Sequence, residues 1–343
     1  MDRILVTGGT GYIGSHTCVA LTHAGYAVTI LDNLSNSKIQ VLDRLSPLCK
    51  TQPEFIKGDI KDAGLVEQVL SEQKFASVIH FAGLKAVGES NEKPLTYYEN
   101  NVLGTLALLK VLQRVGPKSM VFSSSATVYG DPHTVPIKES FPTATTNPYG
   151  RTKLMIEEIL MDVQAADPSW RIARLRYFNP VGAHESGLIG EDPLGVPNNL
   201  MPYVAQVAAG MREVLNVWGD DYDTPDGTGV RDYIHVTDLA NGHLAALSYL
   251  EKNAGLITVN LGTGRGYSVL EMVSAFEKAS GQQIPFKIAA RRSGDVAQCF
   301  ADPAVANEIL GWRATKPLEQ MCKDAWHWQI SEKRRANSEE NSE

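Results

Sequence analysis

Short runs rich in β-branched residues alternate with longer helical patterns through the first half of the chain. The predicted strands lie at 3–7, 27–31, 54–57, 77–81, 119–122 and 171–178, and the predicted helices at 13–24, 38–48, 62–73, 92–115 and 148–166. Such alternation is typical of a parallel sheet covered by helices on both faces, because helices are the usual crossovers between parallel strands. Right-handed crossovers then predict a doubly wound α/β fold of the Rossmann type.

The composition of the sequence changes after about residue 180. Pro and Gly become frequent in 180–235, which predicts a loop-rich lobe, and three further elements are expected: a helix near 200–210, a strand at 257–261 and a helix at 268–279. The 343 residues exceed a usual single core. We therefore expect a nucleotide-binding domain over 1–180 and a smaller mixed α/β lobe over 181–330, with 235–265 returning to the main sheet. The charged end, 331–343, predicts a frayed tail.

Composition excludes several classes of partner. A net charge of −7 argues against a broad nucleic-acid surface, which needs clustered Lys and Arg. No apolar run approaches the roughly 18 residues of a membrane span, and residues 3–7 already form a predicted strand where a leader peptide would begin. The four cysteines are Cys18, Cys49, Cys299 and Cys322, and their spacing is not that of metal ligands. We therefore expect reduced thiols, no metal site and a cytoplasmic location.

A glycine-rich turn follows the first predicted strand directly. Gly8, Gly11 and Gly14 are spaced three apart and lead into a helix. Glycine permits a tight turn and close backbone approach, and the first N–H groups of the helix then face a pyrophosphate. The second strand ends at Asp32, where a carboxylate binds ribose hydroxyls and repels a 2′-phosphate. The pattern predicts NAD rather than NADP, since no Arg lies between Asp32 and Ser37.

Tyr149 precedes Lys153 by four residues, a spacing that brings both side chains to one face of a helix. Asn147 suits the N-cap, with Pro148 in the first turn. A free phenol has a pKa near ~10 and is a poor base at neutral pH. We expect the charges of Lys153 and of a nicotinamide ring to lower the pKa of Tyr149. The strand at 119–122 delivers serines to its carboxyl end, where they can bond a substrate hydroxyl and the phenol.

With these motifs the sequence resembles the extended short-chain dehydrogenase/reductase family, and within it the UDP-galactose 4-epimerase branch. The similarity runs through nearly the whole chain. Its most specific segments are FAGLKAVGES at 81–90, SSSATVYG at 123–130, RYFNPVGA at 176–183 and GVRDYIH at 229–235.

The resemblance implies an enzyme that interconverts UDP-galactose and UDP-glucose by transient oxidation at sugar carbon 4, with tightly held NAD. Tyr149 would take the proton of the 4-hydroxyl while carbon 4 passes a hydride to NAD. The 4-keto sugar would turn over, and the hydride would return to its opposite face. Ser125 matches the family's hydroxyl partner, and Lys153 would also hold the nicotinamide ribose. Family members generally form homodimers, here expected through the helices at 92–115 and 148–166.

The same matching assigns two sets of binding residues. The NAD set comprises Gly8, Gly11, Tyr12, Ile13, Gly14, Asp32, Asn33, Asn36, Ser37, Asp59, Ile60, Phe81, Ala82, Gly83, Lys85, Asn100, Ser123, Tyr149, Lys153 and Tyr177. The UDP-sugar set comprises Lys85, Ser125, Tyr149, Phe178, Asn179, Asn199, Leu200, Trp218, Arg231, Tyr233, Arg292, Asp295 and Cys299. Guanidinium groups such as those of Arg231 and Arg292 suit a pyrophosphate.

Cys299 matches a site that a bulky Tyr fills in some family members. A small side chain there leaves room beside sugar carbon 2, so we expect UDP-N-acetylhexosamines also to be accepted. A packing role for this thiol is the alternative.

Three other functions compete with this prediction. A nucleotide-sugar 4,6-dehydratase carries Asp-Glu directly after the hydroxyl residue, where this chain has Ala126 and Thr127, which cannot act as acid and base. A 4-epimerase of UDP-uronic acids stays open. A non-catalytic NAD-binding protein of the same fold also stays open, although such a protein has no need to keep Ser125, Tyr149 and Lys153 together.

Overall fold

The computed structural model describes residues 1–292 and 294–340. Its strands are β1 (Arg3–Thr7), β2 (Ala27–Asp32), β3 (Glu54–Lys57), β4 (Ser77–His80), β5 (Ser119–Ser125), β6 (Arg171–Tyr177), β7 (Asn179–Val181), β8 (Leu215–Trp218), β9 (Val230–His235), β10 (Gly255–Leu261), β11 (Gly266–Ser268), β12 (Phe286–Ala289) and β13 (Gln298–Cys299).

The helices are α1 (Tyr12–His23), α2 (Val41–Leu45), α3 (Ala63–Glu72), α4 (Val87–Glu92), α5 (Pro94–Tyr97), α6 (Gly104–Val115), α7 (Pro148–Ala166), α8 (Leu200–Ala208), α9 (Val236–Lys252), α10 (Val269–Ser280), α11 (Ala304–Leu310) and α12 (Leu318–Glu340). A π-helix (Tyr98–Leu103) joins α5 to α6, and a 3-10 helix (Ala126–Tyr129) follows β5.

Seven parallel strands form the main sheet in the order β10-β6-β5-β4-β1-β2-β3. Successive strand residues point to opposite faces, so Ile4 and Val6 pack against α1 and α9, while Leu5 packs against α3 and α6. The strand order reverses between β1 and β4, the position at which open α/β sheets bind ligands. The predicted doubly wound fold is confirmed.

Most of the remaining strands, with three helices, form a smaller mixed lobe. β9 pairs in parallel with β7 and β13 and antiparallel with β11, while β8 and β12 form a separate pair. Helices α8, α10 and α12 enclose the core of the lobe. β10 lies in the main sheet beside β6. A domain boundary near residue 180 stays a prediction.

The predicted helix at 92–115 is wrong as a single element. α4 ends at Glu92, Pro94 opens the four-residue α5, and the π-helix then precedes α6. Proline lacks the N–H that a continuous helix needs and clashes with the preceding turn. The predicted helix at 38–48 is likewise shorter, since only α2 is α-helical there.

The predicted frayed tail at 331–343 differs from the structure up to residue 340. α12 continues through this stretch, Glu332 accepts two hydrogen bonds from Arg44 at 2.8 and 3.0 Å, and Arg335 donates to the Gly187 carbonyl. These contacts explain why a charged, apolar-poor segment remains helical. Residues 341–343 lie outside the described residues. Within 1–292 and 294–340, none of the helices combines the length and the apolar character that crossing a membrane requires.

Candidate active site

A cleft of about 350 Å³ opens at the carboxyl ends of β1, β4 and β5. Its lining comes from the glycine-rich turn, the carboxyl ends of the sheet strands, α7, and a stretch of the smaller lobe at 188–193. The cleft therefore lies at the reversal of strand order predicted for a nucleotide site.

The glycine-rich turn is closed so tightly that Gly8 and Gly14 have no room for side chains. Gly8 has a φ of 71°, and a Cβ there would lie 2.7 Å from the Ala82 nitrogen. A Cβ on Gly14 would lie 2.3 Å from the Gly8 carbonyl oxygen. α1 begins directly after the turn, and its first residues line the cleft. This cradle fits a dinucleotide pyrophosphate, which needs close backbone approach and the N–H groups of a helix start.

Asp32 ends β2 with its carboxylate at the rim of this cradle. It accepts hydrogen bonds from Thr10 N at 3.1 Å and Leu34 N at 2.9 Å, and Ser37 Oγ lies 3.4 Å away. These bonds hold the carboxylate next to the turn. The next lysine and the next arginine after Asp32 in the sequence form ion pairs with other carboxylates. Lys38 pairs with Asp192 at 2.7 Å, and Arg44 pairs with Glu332.

The π-helix presents two adjacent asparagines to different partners. Asn100 lines the cleft, whereas buried Asn101 donates to Thr152 Oγ1 at 3.0 Å and accepts from Leu84 N at 2.8 Å. The wider turn of a π-helix is a frequent feature of functional sites. Here it joins the loop after β4 to α7.

Tyr149 lies in the first turn of α7. Asn147 caps this helix by accepting a hydrogen bond from Gly150 N at 2.8 Å, with Pro148 at the first position, as the sequence predicts. Burial raises the pKa of the Tyr149 phenol, and its hydrogen bond with the Ser125 hydroxyl opposes that rise. The expected lowering of this pKa by the charges of Lys153 and of a nicotinamide ring stays a prediction.

Lys153 lies one turn further along α7. Its ammonium group donates to the Ser123 carbonyl at 2.7 Å and lies 5.0 Å from the Phe122 ring centroid. Burial lowers the pKa of Lys153 to about 8, while the Glu157 carboxylate acts in the opposite direction. Ser125, at the end of β5, accepts from Thr127 N and Thr127 Oγ1.

Every residue of the predicted NAD set lines this cleft. Six residues of the predicted UDP-sugar set do so as well: Lys85, Ser125, Tyr149, Phe178, Asn179 and Asn199. The other seven, which do not line it, lie in the smaller lobe: Leu200, Trp218, Arg231, Tyr233, Arg292, Asp295 and Cys299.

Most of these seven residues are neighbours of one another. Arg231 pairs in strand register with Cys299, and Arg292 forms a 2.9 Å ion pair with Asp295 and stacks 5.8 Å from the centroid of the Trp218 ring. Burial raises the pKa of Cys299 to about 11, so the thiol is neutral at pH 7. Tyr233 pairs in register with Asn179, which connects this group to the cleft.

The structure adds residues that the sequence analysis missed. Glu191 receives Lys85 Nζ at 3.0 Å and Asn199 Nδ2 at 2.6 Å, and its carbonyl accepts from Trp328 Nε1. Asp192 pairs with Lys38. These contacts hold the 188–193 stretch at the cleft. No local motif predicts them, because Lys38, Lys85 and Trp328 are distant from this stretch in sequence.

Comparison with known proteins agrees with the geometry. A family model described as GDP-mannose 4,6 dehydratase matches residues 5–325. A UDP-glucose 4-epimerase of Dictyostelium discoideum is 59% identical over 329 residues, which are 96% of this chain and 96% of that relative. A UDP-glucose 4-epimerase of Bacillus subtilis strain 168 is 59% identical over 328 residues, 96% of this chain and 97% of the relative.

The chain belongs to the UDP-glucose 4-epimerase family. A crystal structure of the family's member from Bifidobacterium longum, in complex with NAD+ and UDP, superposes with a TM-score of 0.94 at 53% identity and covers 96% of this chain and 98% of that one. The predicted family is confirmed. Although the matching family model is named after a dehydratase, Ala126 and Thr127 stand where a dehydratase carries Asp-Glu, and Thr127 donates to Ser125 at 2.9 Å.

Within 1–292 and 294–340, no group of three His, Cys, Asp or Glu side chains is arranged to hold a metal ion.

Proposed function

We propose that this chain interconverts UDP-galactose and UDP-glucose with NAD as a retained cofactor, and that Ser125, Tyr149 and Lys153 form its catalytic group. The observation that carries the proposal is the convergence of these three side chains on the cleft that also contains the glycine cradle and Asp32. The isomerase activity and the NAD cofactor are those of the family and confirm the predictions.

Each catalytic side chain has a distinct task. Tyr149 accepts the proton of the sugar 4-hydroxyl and returns it after the sugar has turned over, which is general acid–base catalysis. Ser125 shares its hydroxyl between the phenol and the substrate oxygen. Lys153 favours the phenolate by its positive charge and holds the nicotinamide ribose. NAD, when bound, supplies the acceptor of the hydride from carbon 4 and its donor in the return step.

The remaining residues bind the two nucleotides. Gly8, Gly11 and Gly14 with the start of α1 would hold the NAD pyrophosphate, and Asp32 the adenosine ribose. Arg231 and Arg292 would bind the UDP pyrophosphate as forked donors. Because Arg292 is 52% exposed and paired with Asp295, we infer that it exchanges this partner for a phosphate.

The decisive experiment mixes purified protein with UDP-galactose without adding NAD and follows UDP-glucose formation. Steady conversion by the wild type, abolished in Tyr149→Phe and retained in Tyr249→Phe, would support the proposal; Tyr249 lies outside the cleft. Absence of conversion, even with NAD supplied, would overturn it, and UDP-uronic acids would be the next substrates to test.

We infer in addition that UDP-N-acetylhexosamines are substrates. Cys299 packs beside a buried cluster that includes Phe178, a residue of the cleft wall. A thiol leaves room for an acetamido group where a phenol would clash. This second activity depends on the same catalytic group.

We also propose a homodimer formed through the outer faces of the α4–α6 region and α7. Large apolar side chains are exposed here: Leu95 by 81%, Leu103 by 56% and Met161 by 49%. Isolated exposed Leu or Met is common, but several on packed neighbouring helices mark an interaction surface. Light scattering of Leu103→Glu alongside wild type would test it: a dimer that becomes monomeric supports the proposal, and a monomeric wild type contradicts it.

A cytoplasmic location stays a prediction. It is supported by the cysteines, all four of which are free thiols in the described structure.

A further inference from the structure

Glu157 is a buried carboxylate for which the mechanism above has no use. It follows Tyr149 and Lys153 at intervals of four along α7, so the three side chains share one helix face. Only 1% of the Glu157 side chain is exposed. A carboxylate in such a position is expensive to desolvate and persists only with strong partners.

The partners of Glu157 come from the two strands next to α7. Ser124 Oγ donates to Glu157 Oε1 at 2.5 Å, Arg176 Nε donates to the same oxygen at 2.9 Å, and Arg176 Nη2 donates to Oε2 at 2.6 Å. Arg174 Nη1 donates to the Glu157 carbonyl at 3.0 Å. Ser124 and Arg176 are paired in register, so the carboxylate bridges the ends of β5 and β6.

These elements are the ones that carry the proposed catalytic group. Ser124 lies between Ser123, whose carbonyl accepts from Lys153, and Ser125, which bonds the Tyr149 phenol. We propose that Glu157 is a positioning residue: its carboxylate fixes α7 against β5 and β6 and thereby holds Tyr149 and Lys153 at their serine partners. This inference rests on the proposed function of Ser125, Tyr149 and Lys153.

The hydrogen-bond network around Glu157 continues away from the cleft through Arg176, and it ends at a residue whose side chain accepts the last hydrogen bond. Arg176 Nη1 donates to the Tyr129 hydroxyl at 2.9 Å, which donates to Asn260 Oδ1 at 2.7 Å. The Arg176 guanidinium and the Tyr129 hydroxyl therefore both have hydrogen-bond partners, and a network with all its partners holds the Glu157 carboxylate in one defined position. Because Glu157 belongs to α7, a fixed carboxylate also fixes the position of α7 relative to β5 and β6.

Glu157 also acts on Lys153 through its charge. The charged or titratable groups that act on this pair are His80 on β4, and Arg174 and Arg176 on β6. Tyr149 shares the helix face of the pair, and Tyr177 on β6 acts on Tyr149. Burial lowers the pKa of His80 to about 3, so His80 is neutral at pH 7. Glu157 is the charged neighbour that counteracts the lowering of the Lys153 pKa.

The test compares Glu157→Gln with Glu158→Gln, an exposed neighbour on the same helix. We expect Glu157→Gln to lower kcat for UDP-galactose by about tenfold or more while KM changes by less than about threefold, because positioning acts on the transition state. Loss of the negative charge should also move the basic limb of the pH profile lower by about one unit. Glu158→Gln should match wild type, and Glu157→Asp, which keeps the charge, should retain the wild-type basic limb.

A loss of activity with an unshifted basic limb would overturn the inference, as would wild-type kinetics in Glu157→Gln. If that variant does not fold in a thermal unfolding assay, Ser124→Ala provides the second measurement, because it removes one hydrogen bond while Arg176 still pairs with the carboxylate. We expect kcat to fall by about threefold with only a small fall in melting temperature; wild-type kcat in Ser124→Ala would count against the inference. Failure of wild type and Glu158→Gln to convert UDP-galactose would overturn the proposed function instead.

Discussion

The Lys153 ammonium group donates to the Ser123 carbonyl at 2.7 Å, inside a site where burial lowers the lysine pKa to about 8. The lysine is held next to Tyr149 by a neutral acceptor rather than by a direct ion pair. Its charge is therefore available to favour the phenolate, but only while the proton is retained.

Loss of the Lys153 proton should lower activity while it raises the contribution of this one group to stability. Above about pH 8 Lys153 loses its proton, and kcat/KM should fall. Its folded pKa lies below the unfolded value of 10.5, so the unfolded state binds more protons between these values and this group's contribution to stability rises with pH. A pH profile of activity checks the first sign. Chemical unfolding of wild type and Lys153→Met at each pH checks the second, because the difference between the two proteins isolates this group from the buried Cys and Tyr residues, which titrate in the same range. A difference that moves against wild type between pH 8 and 10.5 would contradict the prediction.

Asp32 should determine the choice of cofactor. Asp32→Ser removes the carboxylate that repels a 2′-phosphate, so the affinity for NADP relative to NAD should rise by about tenfold or more. Titration of cofactor-free protein with each dinucleotide measures the ratio. Asp43→Ser is the matched control, since Asp43 is exposed on α2. An unchanged ratio in Asp32→Ser would show that another group discriminates.

Gly14→Ala should abolish NAD retention. The new Cβ would lie 2.3 Å from the Gly8 carbonyl oxygen, so the turn must open, at a cost of about 1–3 kcal/mol typical of overpacking. Bound NAD after purification, released by denaturation and assayed enzymatically, is the measurement. Gly88→Ala should keep the cofactor, because a Cβ on Gly88 meets nothing within 4 Å. Equal NAD content in both variants would be the contrary result.

The Arg44–Glu332 pair should slow cofactor release. It joins α2 to α12 beside Trp328, and Arg44 and Trp328 both line the cleft. Glu332→Gln should raise the NAD dissociation rate by about threefold, the effect of a partly exposed ion pair worth somewhat under 1 kcal/mol. Exchange against labelled NAD measures the rate. Glu319→Gln, exposed on the same helix, should exchange like wild type, and identical rates in all three proteins would refute the assignment.

Cys299→Tyr should separate the two sugar activities. Turnover of UDP-N-acetylglucosamine should fall by at least about tenfold while that of UDP-galactose is largely kept, because the phenol occupies the space of the acetamido group. Coupled assays with each substrate provide the comparison, and Cys299→Ser is the control that keeps the site small. Equal turnover of both sugars by Cys299→Tyr would leave Cys299 with a packing role.

The sequence predicted what depends on local chemistry. The alternating strands and helices follow from the hydrophobic period, the N-cap at Asn147 from capping preferences, and the cradle formed by Gly8 and Gly14 from the backbone freedom of glycine. A short stretch of sequence encodes each of these. It could not predict the contact of Glu191 with Lys85, or that of Ser124 with Glu157, because both depend on how distant elements pack. The burial that raises the pKa of Tyr149 could not be predicted either, because charge can be read from neighbouring residues but loss of water cannot.

The interruption between α5 and α6 has a consequence for insertions and deletions. Each residue of an α-helix turns the chain by about 100°. Removing a single residue from the π-helix, for example Tyr98, would restore a regular helix and rotate α5 by that angle relative to α6. The wide turn would be lost with it, so Asn100 and Asn101 would no longer face the cleft and Thr152 at once. An insertion or deletion of one residue should therefore reduce activity more here than most substitutions do. It changes the rotation of α5 about the helix axis relative to α6, which no change of side chain can restore.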